Sequence, residues 1–100
     1  MFSIYIIHSK SADKYYVGYS ENVYRRVEKH NSTPFKTFTS KYRPWVLKAS
    51  FEVGGNRGKA MKIEKYIKRQ KSKKFIERIV ENINDREFMA QLVRVPFERD

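Results

Sequence analysis

The chain has 100 residues, a length that suits one small domain and leaves little room for a second. Its 22 lysines and arginines exceed its 11 acidic residues, and the resulting formal net charge of +11 favours a polyanionic partner. The absence of cysteine excludes disulfides and thiolate metal sites. No apolar run approaches the roughly 20 residues of a membrane helix, and the first residues do not begin a signal peptide, so we expect a cytoplasmic location.

The first 18 residues predict a β-hairpin. The segments 2–7 and 15–17 are rich in β-branched and aromatic residues, which favour strands. The polar segment 8–14 between them predicts a hairpin loop, so the two strands should be antiparallel neighbours. Gly18 then marks a turn.

A first helix is predicted after this turn. Ser20 or Asn22 can cap its first amide groups, because a short polar side chain accepts a hydrogen bond from the first helical turn. Three residues are expected on the core side of this helix: Val23, Val27 and, as a further candidate, Tyr24.

The second half predicts one more strand and two helices. Segment 33–44 is polar and too long for a tight turn, which indicates a surface loop that can contact a substrate. Segment 45–53 suits a buried or edge strand of the same sheet. Asn56 can cap a second helix, and a third begins at about Ser72. Their apolar stripes contain Ala60, Ile63 and Ile67, and then Phe75, Ile76, Ile79, Val80 and Ile83.

The predicted order is therefore β-β-α-β-α-α, an α/β fold in which helices flank a three-stranded, largely antiparallel sheet. We expect the domain to occupy residues 1–84 and a C-terminal tail to occupy residues 85–100, because the last dozen residues, which include Pro96, carry no clear pattern.

Positive charge is concentrated in the second and third helices. Segment 57–78 contains ten basic and two acidic side chains, a net charge of +8, whereas segment 79–100 has a net charge of −2. A lysine-rich helix is often just a solvated face. In an already basic chain, however, such concentration favours nucleic-acid binding through phosphate contacts. The expected contacts are Lys62, Lys65, Lys68, Arg69, Lys71, Lys73 and Lys74.

Two side chains on the first helix are candidates for phosphate chemistry. Asn22, Arg26 and His30 are four residues apart, so we expect them on one polar face, roughly opposite the valines. Arg26 can fork onto a phosphate oxygen, and His30 can orient a hydroxyl or move a proton. An ordinary exposed helix face is the alternative.

Glu64 lies on or beside the apolar face of a helix whose other charges are almost all basic. Burying a carboxylate is costly unless it is paired or bound to a metal. One carboxylate suffices for Mg²⁺, because that ion keeps several waters and accepts phosphate oxygens. A salt bridge to Lys62, Lys65 or Lys68 is the structural alternative.

Tyr5 and Tyr16 lie on the two strands that should pair. Cross-strand tyrosines usually only pack. A free tyrosine is a poor base at neutral pH, so a catalytic role needs help from a nearby cation such as Arg26 or an ion at Glu64.

The tripeptides Ser3-Ile4-Tyr5 and Tyr16-Val17-Gly18, followed by Arg25-Arg26, His30-Asn31 and a downstream Glu64, resemble the GIY-YIG endonuclease family. The resemblance covers about residues 1–80 and departs from the family pattern at several places. Valine replaces isoleucine in the second tripeptide, and Asn82 is the candidate for an additional asparagine seen in some relatives. Serine replaces the first glycine, and Tyr19 stands where some relatives have lysine.

The resemblance implies a DNA endonuclease, structure-selective or nonspecific, in which water attacks the phosphodiester directly. By position, Tyr5 and Tyr16 would organise or deprotonate the nucleophile, and His30 would support a tyrosine hydroxyl. Arg26 would neutralise the phosphate, and Glu64 would hold Mg²⁺ or Mn²⁺. Gly18 would let the backbone pass close to the site.

Other readings of the same features stay open. A noncatalytic nucleic-acid-binding module would keep the fold and the basic helices without cutting. An adaptor that works only with a protein partner could use the acidic tail as its contact. RNA remains an alternative to DNA as the polyanion.

Overall fold

A computed structural model describes residues 1–98 and has the α/β fold that the sequence predicts. The elements follow the order β-β-α-β-α-α-α, and helices cover both faces of the one sheet. The strands are β1 Phe2–Ser9, β2 Lys14–Ser20 and β3 Trp45–Gly54. The helices are α1 Val23–Ser32, α2 Arg57–Arg69, α3 Lys73–Glu81 and α4 Arg86–Glu98, with a short 3-10 turn at Thr39–Lys41.

The sheet has the strand order β2-β1-β3, and both pairings are antiparallel. Because β1 is central, its residues 4–7 are buried on both faces of the sheet. Tyr5 lies directly opposite Gly18, and Ile7 lies opposite Tyr16. Paired residues of antiparallel strands point to the same face, so these four positions share one side of the sheet.

Two apolar clusters fill the two sides of the sheet. The larger one joins Ile4 and Ile6 to the buried residues of α2, α3 and α4. The smaller one contains Tyr5, Ile7 and Trp45, and α1 covers it. The tyrosine side of the sheet is therefore the side on which α1 lies.

The two predicted helix caps are confirmed, with Asn22 and not Ser20 capping α1, and the third helix begins where it was predicted. Asn22 accepts a hydrogen bond from the Arg25 amide at 3.1 Å, and Asn56 accepts one from the Lys59 amide at 3.0 Å. Ser72 caps α3 in the same way. Each side chain satisfies an amide that has no partner within its helix, and so fixes the residue at which the helix begins.

The prediction for Tyr24 is wrong. Val23 and Val27 pack partly buried against the smaller cluster, as expected, but Tyr24 is 80% exposed. One residue corresponds to a rotation of about 100° around a helix, so the neighbour of a core-facing valine points outward.

Part of the predicted tail is a helix. In α4, Leu92 and Pro96 are buried, and Phe88, Met89 and Val93 pack against the larger cluster. The division into a domain at 1–84 and a tail at 85–100 stays a prediction, and Arg99 and Asp100 lie outside the described residues. None of the helices within residues 1–98 has the length and apolar character needed to cross a bilayer.

Candidate active site

Tyr5 stands on the central strand with its ring against the backbone of Gly18. Tyr5 is only 1% exposed. A methyl group added to Gly18 would lie 2.4 Å from the Tyr5 hydroxyl oxygen and 2.5 Å from the ring carbon that carries it. The absence of a side chain at Gly18 therefore creates the space that the tyrosine hydroxyl occupies.

The Tyr5 hydroxyl begins a buried chain of hydrogen bonds. It lies 2.8 Å from Nε2 of His30, and Nδ1 of His30 lies 2.9 Å from the hydroxyl of Thr39. A neutral imidazole carries one N–H, so it donates through one nitrogen and accepts at the other. When Nδ1–H donates to Thr39, Nε2 accepts the proton of the Tyr5 hydroxyl.

His30 is not on an exposed polar face, and the prediction that placed it opposite the valines is wrong. It is 7% exposed, on the side of α1 that faces the sheet. The positions of Val23, Val27 and His30 follow the spacing i, i+4, i+7 of a single helix stripe, so the imidazole continues the buried side of α1.

Hydrogen bonds from Arg43 and Trp45 hold the loop that supplies Thr39. Arg43 donates from Nε to the His30 carbonyl at 2.7 Å and from a terminal nitrogen to the Thr33 carbonyl at 2.6 Å. The indole N–H of Trp45 donates to the Thr39 carbonyl at 2.6 Å. These bonds fix the partner of His30, which the sequence did not reveal because a threonine in a polar loop carries no distinguishing pattern.

Burial raises the pKa of Tyr5 to about 12. Arg26 lowers this pKa through a side-chain hydrogen bond and through its positive charge, whereas Tyr16 and the charge of Glu64 raise it. The burial effect prevails, because removing water penalises the charged phenolate. The hydroxyl consequently keeps its proton at neutral pH.

Burial also lowers the pKa of His30, from its ordinary 6.5 to about 4. The positive charges that act in the same direction belong to Arg26, Arg43 and Lys68. The imidazole is therefore neutral at pH 7, which leaves one nitrogen able to accept a hydrogen bond from Tyr5.

This pKa predicts a pH dependence of stability. His30 binds a proton near pH 6.5 in the unfolded chain but only near pH 4 in the folded chain. The stability that depends on a neutral His30 is therefore fully present above pH 6.5 and is lost as the pH falls towards 4. At about pH 5 the loss should reach about 2 kcal/mol of unfolding free energy. Urea denaturation at pH 7 and pH 5 measures it. His30→Gln should lose about 2 kcal/mol less than the wild type, since carboxylates titrate in both proteins; equal losses would contradict the assignment.

Four of the predicted site residues line one cleft of about 720 Å³: Tyr5, Tyr16, Arg26 and Glu64. Gly18 also lines it. His30 lies outside this cleft, behind Tyr5, and lines a neighbouring cavity together with Tyr16 and Arg26. The structure thus brings together side chains from β1, β2, α1 and α2.

Glu64 faces the cleft from α2 while its own helix is packed on the sheet. The side chain is 15% exposed, and its Oε1 lies 3.5 Å from Nζ of Lys68. The salt bridge that the sequence left open is thus present, and it does not close the cleft. Lys68 also lies over the Tyr16 ring, with Nζ 4.7 Å from the ring centroid.

The donor set of the cleft suits a hard cation. Residues 1–98 contain no group of three or more His, Cys, Asp or Glu side chains that could hold a metal ion. A cation at Glu64 would need water and substrate oxygens as its other ligands, which is the coordination that Mg²⁺ accepts. The oxygen ligand and the open space in front of it fit Mg²⁺ or Mn²⁺.

The residues predicted to bind nucleic acid differ in their surroundings. Lys68 and Lys71 line a groove beneath Tyr16 and beside the cleft. Lys73 instead forms an ion pair with Asp13 at the hairpin turn. Nζ of Lys62 lies 4.9 Å from the ring centroid of Phe97 on α4. The remaining three are exposed: Lys65, Arg69 and Lys74.

The cleft has further lining residues to which the sequence analysis gave no role in the site. Nε of Arg57 donates to the hydroxyl of Tyr19 at 3.3 Å, and both residues line the cleft. Arg25 and Lys29 line it as well. Arg57 directly follows the Asn56 cap. Its place at the first position of α2 was the one feature of the sequence that could have indicated a role in the cleft. The charged side chains that line the cleft are thus four basic ones and two acidic ones, Glu21 and Glu64.

The model of the GIY-YIG catalytic domain matches residues 1–77 of the chain. No curated protein and no solved structure shows a significant match. The match includes every residue of the cleft, and it covers more than three quarters of the sequence. The chain belongs to the GIY-YIG family of nucleases.

Proposed function

We propose that the protein is an endonuclease that depends on Mg²⁺ or Mn²⁺ and hydrolyses DNA phosphodiester bonds by direct attack of water. The observation that carries this proposal is that Tyr5, Tyr16, Arg26 and Glu64 line a single cleft. Two hydroxyls, a guanidinium and a carboxylate are the groups that a phosphodiester-cutting site uses to orient water, balance phosphate charge and bind a cation.

The electrostatics of the cleft support a nucleic-acid substrate. Arg25, Arg26, Lys29 and Arg57 line it, within a chain of net charge +11. Positive side chains that converge on a concave surface attract the phosphate backbone and release its counterions. Lys68 and Lys71 in the adjoining groove extend the positive surface beyond the cleft.

Glu64 is the residue that would hold the metal. Its charge and its oxygen ligands match Mg²⁺ or Mn²⁺, and its partial burial limits its movement. The bound ion would offset negative charge on the phosphate and lower the pKa of a coordinated water.

Tyr5 would orient the attacking water. Its pKa of about 12 keeps the hydroxyl protonated, and the neutral His30 accepts that proton in a hydrogen bond. With its proton donated to His30, the Tyr5 oxygen can accept hydrogen bonds from Arg26 and from water. His30 and Thr39 act through Tyr5, as residues that position its hydroxyl.

Arg26 and Tyr16 would act on the substrate from the two walls of the cleft. A guanidinium can donate two parallel hydrogen bonds to phosphate oxygens, so Arg26 can stabilise the charge that grows as water attacks. Tyr16 is held between the His30 ring, with centroids 5.0 Å apart, and the Lys68 ammonium. This packing fixes the position at which the Tyr16 hydroxyl meets the nucleophile.

The proposal is tested by incubating the purified protein with nicked, branched, single-stranded and linear duplex DNA, with Mg²⁺, Mn²⁺ or chelator. We expect cleavage with either ion and none with chelator, and comparison of the four substrates separates structure-selective from nonspecific cutting. Salt-sensitive binding without cleavage of any substrate would overturn the proposal and assign the protein to noncatalytic nucleic-acid binding.

A further inference from the structure

Two phenylalanines are exposed on the loop that joins α1 to β3, residues 33–44, which we call the α1–β3 loop. Phe35 is 74% exposed and Phe38 is 48% exposed. Large aromatic side chains of a folded domain usually lie in its core, because burying them stabilises the fold. Two exposed rings close together in sequence therefore mark a surface that a partner can cover.

Phe38 is held in a fixed orientation. Its ring stacks on the ring of Tyr16, with centroids 6.1 Å apart and an interplanar angle of 29°, and it meets the edge of Tyr42 at 5.3 Å. Thr37 and Ser40 exchange hydrogen bonds on either side of it, at 2.9 Å in both directions. The ring is thus already oriented in the free protein, so little conformational entropy is lost when a flat ligand stacks on it.

The exposed rings border a cavity of about 620 Å³ that adjoins the catalytic cleft. Tyr16, Arg26 and Lys29 line both spaces. The residues that line this second cavity include no aspartate or glutamate, so its charged side chains are all basic. Its occupant should combine an aromatic face with negative charge, and a nucleotide has both.

We propose that Phe35 and Phe38 form a stacking site for an unpaired nucleotide next to the phosphate that is cut. The base would stack on the phenylalanine rings while Lys29 and Arg26 contact the adjoining phosphates. Aromatic side chains bind single-stranded nucleic acid in this manner, because every base offers a π face.

A paired base cannot use this site. In the interior of a duplex both faces of each base are covered by its neighbours, and only its edges are accessible in the grooves. A phenylalanine also has no group that reads a base edge, so the site selects for an uncovered face and not for sequence. A purely apolar peptide fits less well, because the basic side chains around the cavity would face no opposite charge.

The inference rests on the proposed nuclease function and narrows its substrate. Since the two spaces share Tyr16 and Arg26, a base in the second cavity would place an adjacent phosphate in the catalytic cleft. The favoured substrates are nucleic acids with an unpaired nucleotide beside the cut, such as flaps, gaps and single strands.

The test measures binding without cleavage. In the presence of chelator, fluorescence anisotropy compares a short single-stranded oligonucleotide with the blunt duplex of the same sequence. Replacing both phenylalanines by leucine keeps apolar side chains but removes the rings. We expect Phe35→Leu/Phe38→Leu to weaken single-strand binding about tenfold and duplex binding less than twofold. Equal effects on the two ligands, or no effect on the single strand, would overturn the proposal.

Two control variants accompany this test. Tyr24→Leu removes a ring that is 80% exposed on α1 and lines neither cavity, so both affinities should stay unchanged. Phe38→Tyr keeps a ring and should still quench the fluorescence of 2-aminopurine placed in the single strand, whereas the double leucine variant should not. Circular dichroism and thermal denaturation check that each variant is folded.

The outcomes separate this inference from the nuclease proposal. If the wild type cuts no substrate but the leucine variant loses single-strand affinity selectively, the stacking site stands and the nuclease proposal fails. If the wild type cuts and the leucine variant binds like it, the stacking site fails and the nuclease proposal stands. Absence of binding to either oligonucleotide would overturn the stacking site and leave the exposed rings to a protein partner.

Discussion

Replacing Glu64 with glutamine is expected to reduce metal-dependent cleavage by a factor on the order of a thousand or more. The amide has nearly the same size but no charge, so it loses the attraction for Mg²⁺ and leaves the cleft more positive. The fold should persist, because the visible partner of Glu64 is a single ammonium at 3.5 Å on a partly exposed lysine. Cleavage rates at several Mg²⁺ concentrations, with urea denaturation alongside, measure both effects.

Glu81→Gln is the matched control for this substitution. Glu81 is exposed at the end of α3 and does not line the cleft, so the same chemical change should leave the cleavage rate unaltered. A Glu64→Gln protein that cuts as fast as the wild type would remove the carboxylate from the site. If Glu64 acts by binding the metal, raising the Mg²⁺ concentration should restore part of the lost activity, because a weakened site needs more free ion to be occupied.

The second large effect is expected from Gly18→Ala. The added methyl group would overlap the Tyr5 hydroxyl at 2.4 Å, so either the ring moves or the two strands separate. Overpacking of this kind costs about 1–3 kcal/mol of stability. Displacing the hydroxyl would also break its hydrogen bond to His30, and we expect cleavage to fall about a hundredfold. Cleavage assays and urea denaturation at pH 7 test the two parts together.

Gly55→Ala controls for the general effect of replacing a glycine. A methyl group at Gly55 would meet no atom within 4 Å, and its backbone does not need a positive φ. Stability should therefore stay within about 0.5 kcal/mol of the wild type, and activity should not change. If Gly18→Ala behaved like this control, the close approach of Tyr5 to the backbone would not matter for the site.

Much of the fold could be predicted because local signals agreed with tertiary packing. Asn22, Asn56 and Ser72 each combine a capping side chain with an apolar stripe, and each begins a helix at the expected place. The antiparallel pairing of the first two strands was predicted as well, but the prediction of a turn at Gly18 is wrong, because Gly18 lies within β2 opposite Tyr5. Agreement between neighbouring signals is what makes such predictions reliable.

The site was harder to predict where polar residues are buried. His30 follows the apolar spacing of Val23 and Val27, but a polar residue type suggested an exposed face. Its burial is compensated by hydrogen bonds to Tyr5 and Thr39, which are 25 and 9 residues away in sequence. Such partners leave no periodic pattern, so the sequence alone could not reveal that the imidazole lies behind Tyr5.

The C-terminal helix was missed for a different reason. Pro96 disfavours a helix, since it lacks an amide hydrogen, and it led to a prediction of an unassigned tail. In the structure Pro96 lies near the end of α4. Phe88 and Leu92, which stand at helical spacing earlier in this helix, pack on the core. Asp85 supplies the cap by accepting from the Phe88 amide at 3.0 Å.

The family match and the hydrophobic core of the domain end at different places in the chain. The part of the chain shared with the family ends at residue 77, yet Ile79 and Leu92 complete the apolar cluster beneath the sheet. The segment that lines the cleft thus does not enclose its own hydrophobic interior. The last helix contributes no side chain to the cleft, but it has to keep an apolar inner face in order to cover this cluster.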